Sequence, residues 1–387
     1  MNTFIFKKEN ISRLKALNSY IKKLEGICPL DSNELFVVND GKLTVYGHGN
    51  GSLGAGYIEA SYDIETSSSF YFVTDIQKFI QLLEKTRSDN VSVTMNESSQ
   101  LIFKGDASSS KFTQVVMTID GDEAKEISNA VSMYKTSNPY SSSVDLNVAD
   151  VKDDLNSASS ILGILNVNKF MRVSNKHIST ADNISVIDIN APSLDCSEEI
   201  YLHKNVPSLL AEVDSFKICK FDGSYWIYID IASQGIELYF AEPQIDYQSP
   251  SEEEIAAMLP KEEHLEVEID SNKFIEALSE FDGIFDSASW RYGQVKFIVD
   301  FDESQFNLHF DNMVSCVDTV LPFTVIDDKI SEKKQFMMQL PTLHLKSLYE
   351  DLKSQPTFRM KLSPKSDDIL VSLTNDKLSV NLVKMED

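Results

Sequence analysis

Several stretches of this chain hold residue types that could do chemistry, and each lacks the spacing the chemistry needs. Gly49-Asn50-Gly51-Ser52-Leu53-Gly54 spells G-x-G-x-x-G. That pattern binds a dinucleotide phosphate only where a helix starts at its end. Tyr57-Ile58-Glu59-Ala60-Ser61-Tyr62 follows instead, with strand-like alternation and no lysine for a phosphate loop, so the stretch reads as a flexible hairpin. The histidines His48, His177, His203, His264, His309 and His344 show no H-E-x-x-H spacing. Asp300-Phe301-Asp302-Glu303 lacks the glycine and the later glutamate of a calcium loop. No G-x-S-x-G elbow is present. Cys28, Cys196, Cys219 and Cys316 form no C-x-x-C pair, neither a zinc pattern nor a disulfide framework. The expectation is small buried thiols in a reducing compartment. Among 60 carboxylates, no acidic pair stands out as an acid/base couple. The expectation is therefore a protein that is not an enzyme, with no catalytic residue, no metal and no cofactor.

One set of side chains does have a use. Lys8, Arg13, Lys15, Lys22 and Lys23 lie in and around a first helical stretch, and Lys78, Lys85 and Arg87 in a second. Cations on helix faces contact phosphates without reading bases. Beyond these the signal thins to Lys152 among Asp150, Asp153 and Asp154, Lys204, Lys273 among Glu276, Glu280 and Asp282, and Lys346 beside Glu350 and Asp351. The formal net charge is -25. Such a chain repels polyanions at long range, so nucleic-acid binding must rest on local patches or on topology, and anionic lipid is disfavoured as well.

The elements that must position these residues recur. A short strand, an amphipathic helix and three strands repeat six times, starting near residues 3, 69, 143, 198, 264 and 334. The helical stripes are Ile11, Leu14, Leu17, Ile21, Leu24; Ile76, Phe79, Ile80, Leu83; Val148, Val151, Leu155, Leu162; Val206, Leu209, Leu210, Val213; Phe274, Ile275, Leu278, Phe281; and Leu345, Leu348, Leu352. Asn39-Asp40-Gly41 marks a hairpin. Residues 120–142 and 248–263 read as linkers, the second with a capping box at Ser251 and Glu254. Two linkers divide six repeats into three domains, 1–128, 129–255 and 256–387, in an α+β fold. No apolar run is long enough to span a membrane, and the N-terminus is not a secretory signal, so a cytoplasmic location is expected.

Pro243-Gln244-Ile245-Asp246-Tyr247, then Leu259-Pro260, His264-Leu265-Glu266 and Phe274-Ile275-Glu276-Ala277 resemble, in order, the stretch before the third domain of the β-type DNA sliding clamps. The chain is most similar in pattern to the β subunit of bacterial DNA polymerase III. Lys176-His177-Ile178 stands in place of that family's His-Arg-Leu turn, and Val383-Lys384-Met385 in place of its apolar Met-containing tail. The chain departs by two residues inserted between Pro243 and Asp246, a longer acidic segment before Leu259, and an acidic Glu386-Asp387 end. These departures point toward a phage or other mobile element as its source.

The resemblance implies three sliding-clamp domains, each of two β-α-β-β-β units, with helices inside and sheets outside a ring closed as a homodimer. It implies a processivity factor that encircles double-stranded DNA without sequence preference and tethers a replicative DNA polymerase, opened by a clamp loader. The basic residues Lys8, Arg13, Lys15, Lys22, Lys23, Lys78, Lys85, Arg87, Lys152, Lys204, Lys273 and Lys346 would face DNA. Ile178, Pro243, Ile245, Val383 and Met385 would line a pocket for partner peptides. The rival reading is a viral structural or receptor-binding β-rich protein, which explains the acidity and the strands but not the recurring helices.

Overall fold

Stretches with period-3.6 apolar stripes become helices and those with period-2 alternation become strands in a computed structural model of the 387-residue chain. The structure describes residues 2–51, 54–106, 110–119, 121–136, 144–164, 169–181, 185–196, 198–221, 224–243, 251–258, 263–281, 294–311, 316–330, 337–341, 355–363, 369–376 and 378–383. The helices are α1 (Ile11–Glu25), α2 (Ile76–Lys85), α3 (Gly121–Thr136), α4 (Val148–Ile164), α5 (Glu252–Met258) and α6 (Ser271–Ser279). The strands form four antiparallel sheets, which gives the expected α+β class. No helix among the described residues is long and apolar enough to cross a membrane.

The chain divides into two compact bodies, Met1–Lys152 with Asn205–Asp246, and Asp153–Lys204 with Tyr247–Asp387. The residues expected to form a middle domain contribute to both.

The first body holds a five-stranded and an eight-stranded sheet. In the first, Glu65–Thr66, Asn2–Lys7, Asn90–Met95, Gln100–Gly105 and Lys111–Val115 lie side by side. In the second the order is Val144–Leu146, Ser215–Phe221, Ser224–Ile231, Ile236–Ala241, Gly54–Asp63, Lys42–Gly51, Glu34–Asn39, Phe70–Thr74. An aromatic core joins them. Phe79 of α2 packs against Phe36 and Phe103 with ring centroids 4.9 and 5.3 Å apart, and Phe36 stacks on Phe72 at 4.8 Å. All four rings are fully buried, and burying an aromatic side chain removes 150–250 Å² each from contact with water.

The second body holds a nine-stranded and a four-stranded sheet. The first runs Ile200–His203, Phe170–Ser174, His177–Ala181, Ser185–Asn190, Leu378–Val383, Ile369–Thr374, Thr357–Leu362, Leu265–Asp270, Thr324–Asp328. The second runs Cys316–Pro322, Gln305–Asp311, Gln294–Asp300, Met337–Pro341. Phe274 of α6 meets Phe358 edge-on at 4.9 Å in its core.

The local signals act as read. Asp40 and Gly41 both take positive φ, 48° and 77°, the primed turn that suits hairpin twist. Ser251 and Glu254 form the capping box reciprocally. The Ser251 N–H donates to Glu254 Oε2 at 2.7 Å and the Glu254 N–H to Ser251 Oγ at 3.2 Å. Gly51 pairs with Gly54 across the expected glycine-rich hairpin, and a Cβ at Gly49 would collide with the Pro29 carbonyl. Close backbone approach, not phosphate binding, accounts for that glycine.

Three expectations differ. The fourth helix is only a 3-10 turn, Val206–Leu209, with Pro207 in its first turn and Leu210 already outside helical geometry. Residues 121–136, expected as linker, form α3, with Ala124 buried and an Asp122–Lys125 ion pair one turn apart at 3.6 Å. The sixth helix (Leu345, Leu348, Leu352) lies outside the described residues.

Candidate nucleic-acid interface and open sheet edges

The basic positions of the first body sit on α1 and α2, which pack side by side. Lys15 reaches Glu84 at 2.6 Å and Lys22 reaches Gln77 Oε1 at 3.0 Å, so the two helices run antiparallel. Asp75 starts α2 by accepting from the Lys78 N–H at 3.1 Å, and its carboxylate lies 3.8 Å from the Lys78 ammonium. Lys8 lies 3.7 Å from Asp89. Lys85 and Arg87 are exposed at the C-terminal end of α2, where the helix dipole also favours cations. Lys23 covers the Tyr20 ring at 4.5 Å.

Arg13 has a different role. Its Nε donates to the Gln234 carbonyl at 3.0 Å, its Nη2 to the Ser61 carbonyl at 3.3 Å, and the guanidinium lies over Tyr62 at 5.3 Å. It braces α1 against the sheet. Lys152 is half-buried on α4 and Lys204 half-buried after the strand Ile200–His203, its carbonyl accepting from Ser159 Oγ at 2.7 Å. Lys273 is exposed on α6, and Lys346 lies outside the described residues. The structure therefore gathers eight of the expected cations around one antiparallel helix pair, three of them (Lys8, Lys15 and Lys78) already facing carboxylates.

Of the expected pocket residues, Ile178 is buried in the strand His177–Ala181 and Val383 ends the strand Leu378–Val383, both in the second body. Pro243 is buried at the end of the first body's described chain. Ile245 and Met385 lie outside the described residues.

Strand pairing follows one rule through all six repeats. The opening strand of each repeat pairs with the first of the three closing strands of its neighbour. Asn2–Lys7 pairs with Asn90–Met95 and Phe70–Thr74 with Glu34–Asn39. Val144–Leu146 pairs with Ser215–Phe221 and Ile200–His203 with Phe170–Ser174. Leu265–Asp270 pairs with Thr357–Leu362 and Met337–Pro341 with Gln294–Asp300.

The last strands pair with one another. Gly54–Asp63 of the first repeat joins Ile236–Ala241 of the fourth, and Ser185–Asn190 of the third joins Leu378–Val383 of the sixth. Two last strands remain, Lys111–Val115 of the second repeat and Cys316–Pro322 of the fifth. Among the described residues each pairs on one side only, with Gln100–Gly105 and Gln305–Asp311 respectively. Both edges carry exposed apolar side chains, Val115 at 73% against Val320 at 53%; Met117, just beyond the first, is exposed as well, but its backbone bridges Val73 of the other sheet.

No protein-family model matches the chain, and no curated protein matches it in sequence. Solved structures do. A putative DNA polymerase III β subunit from Eubacterium rectale superposes with a TM-score of 0.67 at 11% identity, over 100% of this chain and 99% of that one. The DNA polymerase sliding clamp of Caulobacter crescentus gives 0.67 at 11%, over the whole of both chains. The chain has the sliding-clamp fold. A further clamp-fold neighbour, the Helicobacter pylori β clamp bound to a DNA ligase peptide, gives 0.60 at 14% over the whole of both chains.

Cys28, Cys196 and Cys219 are buried, and burial pushes their thiols up to about 12, 11 and 11, far from the thiolate that reacts. Cys316 departs from the expectation. It is exposed on an open edge. The apolar edges at Val115 and Val320 escaped the sequence reading. Their signal was apolar residues on strands that alternate normally, and only the pairing reveals which strands lack a neighbour.

Proposed function

We propose that the protein is a DNA polymerase processivity factor, a sliding clamp that closes around duplex DNA as a homodimer and tethers the polymerase. The observation that carries this reading is the pairing rule of the last strands. It leaves one open edge in a five-stranded sheet and one in a four-stranded sheet. Joined antiparallel between two copies, these edges would make a nine-stranded sheet of the same construction as the other two composite sheets (5 + 4 = 9). The contact is heterologous and occurs twice, so it closes as a dimeric ring instead of growing as a filament. Unpaired edges with apolar side chains otherwise invite uncontrolled association.

On this reading the domains are 1–128, 129–255 and 256–387. DNA meets α1 and α2, with Lys85 and Arg87 the cations most available to phosphate. Attraction is weak because most of the other lysines face carboxylates, and retention is topological. A loader opens one edge pair, and polymerase and other partners dock by peptides near Ile178, Pro243, Ile245, Val383 and Met385; that the Helicobacter pylori β clamp is bound to a DNA ligase peptide supports docking by peptides. The chain carries no enzymatic activity of its own and works in the cytoplasm.

The test uses the purified chain and a loader fraction with nicked circular duplex. Protein that co-elutes with circles at high salt and is released when the circle is cut once supports a closed ring. Equal retention on circular and linear DNA sinks it.

A further inference from the structure

His309, Cys316 and Asp318 meet on the edge strand Cys316–Pro322 of the four-stranded sheet and its neighbour Gln305–Asp311. His309 and Asp318 are direct cross-strand partners, and Cys316 is two residues from Asp318, so the strand period places all three on one face. The buried Leu321 of the same strand points to the opposite face. His309 Nδ1 lies 2.7 Å from Asp318 Oδ1, and Cys316 Sγ lies 3.7 Å from Asp318 Oδ2. One ligand atom from each of the three falls within 4.8 Å of the others. We propose that His309, Cys316 and Asp318 form a binding site for one zinc-class divalent transition-metal ion, with water in the fourth position. This is independent of the clamp reading.

The chemistry of the donor set and its spacing carry the proposal. Imidazole nitrogen, thiolate sulfur and carboxylate oxygen are the three donors zinc takes, and calcium or magnesium would refuse the sulfur. Bonds of roughly 2.0 to 2.3 Å at tetrahedral angles set donors roughly 3.3 to 3.6 Å apart. Cys316 Sγ lies near that spacing from Asp318 Oδ2 and His309 Nδ1 somewhat inside it from Oδ1, so small rotations of the exposed side chains bring one carboxylate oxygen, the imidazole and the sulfur, now within 4.8 Å of one another, onto a single ion as it replaces the His309–Asp318 hydrogen bond. Two hydrogen-bonded strands hold the donors, so little order has to be created. On binding, the Cys316 thiol releases its proton to water as the sulfur–metal bond forms, and His309 binds neutral through Nδ1. Thiolate and carboxylate then balance the two positive charges. Lys296 faces His309 from the next strand on the same face, on the side away from Asp318.

Cobalt(II) titrated into the full chain under a non-chelating reductant reads the site directly. The expected result is saturation near one equivalent with a thiolate-to-cobalt charge-transfer band, displaced by zinc. Cys316→Ser should abolish the band and Asp318→Asn should weaken cobalt binding at least about tenfold, since each removes one of three protein ligands. These side chains are on the surface, and urea midpoints near wild type establish that the variants fold. Zinc should also slow alkylation of Cys316 by iodoacetamide, read by mass spectrometry. No saturable band, or an unchanged band in Cys316→Ser, overturns the site.

Discussion

Glu34 is a carboxyl whose environment opposes its ordinary ionisation. It is 5% exposed at the end of its strand, and its carboxylate accepts from the Ile76 N–H at the start of α2 at 2.7 Å. Burial pushes its carboxyl from 4.5 up to about 7, against the hydrogen bond from Ile76. A raised carboxyl is protonated in the fold above the pH at which the unfolded chain ionises. Its contribution is therefore complete below about 4.5 and fades as pH rises through about 7. Relative to Glu34→Gln, which cannot ionise, the wild type should lose on the order of 2 kcal/mol between pH 5.5 and 8.5. Urea unfolding of both proteins across that range measures it, and parallel pH profiles would remove the ionisation. Arg13 separates bracing from DNA contact in the same way. Arg13→Ala should cost about 2 to 3 kcal/mol of stability, since the guanidinium's two bonds to carbonyls are lost together. Lys85→Glu with Arg87→Glu should leave the urea midpoint within about 0.5 kcal/mol and weaken binding to linear duplex with a shallower salt dependence. Residue types were legible in the sequence here, and partners were not. Arg13 counted as one more cation on a basic helix, and only the fold brings Gln234, 221 positions away, to its guanidinium.

Elements were more legible, because the signals that start and stop them are local. Asp270 begins α6 by accepting from the N–H groups of Asn272 and Lys273 at 2.9 and 3.0 Å. Asp270→Ala should cost about 1 kcal/mol, read as a shifted urea midpoint, while Asp270→Ser should restore most of it. The stripes of α1, α2, α4 and α6 and the Asn39-Asp40-Gly41 turn follow from such signals. The failures have physical causes too. Val206, Leu209, Leu210 and Val213 carry helical spacing, yet only Val206–Leu209 wind, as a 3-10 turn with Pro207 in its first turn, before Leu210 leaves helical geometry. The polar composition of residues 121–136 suggests a linker, yet Ala124 and a few partly buried neighbours suffice to dock α3 beside the strand Phe70–Thr74. Which strands stay unpaired is a long-range property. Lys111–Val115 and Gly54–Asp63 read alike as alternating strands, and among the described residues only the second is paired on both sides.

At the scale of the whole molecule, charge and pairing pull in opposite directions. Two copies carry a formal charge of -50 between them (2 × -25), so their approach is repulsive at low ionic strength and eases as salt shortens the Debye length from about 30 Å at 0.01 M to about 8 Å at 0.15 M. Contacts between the proposed edges at Val115 and Val320 would be indifferent to that screening. Dimerisation should therefore tighten as salt rises from about 0.02 to 0.3 M, while attraction of α1 and α2 to linear duplex fades over the same range. Sedimentation velocity across a dilution series at each salt concentration gives the first slope, and filter binding gives the second. Val320→Glu should shift the dimer toward monomer at every salt concentration, because it places a charge among the apolar residues of the edge, while leaving each monomer's urea midpoint nearly unchanged. A dimer that loosens with salt would mean that ion pairs, not the apolar strand edges, hold the copies together. A Val320→Glu chain that still dimerises fully would place the interface away from the strand Cys316–Pro322. Opposite salt slopes for assembly and for DNA attraction are what a topological clamp requires, since at ionic strengths where the linear complex has dissolved the closed ring is at its most stable.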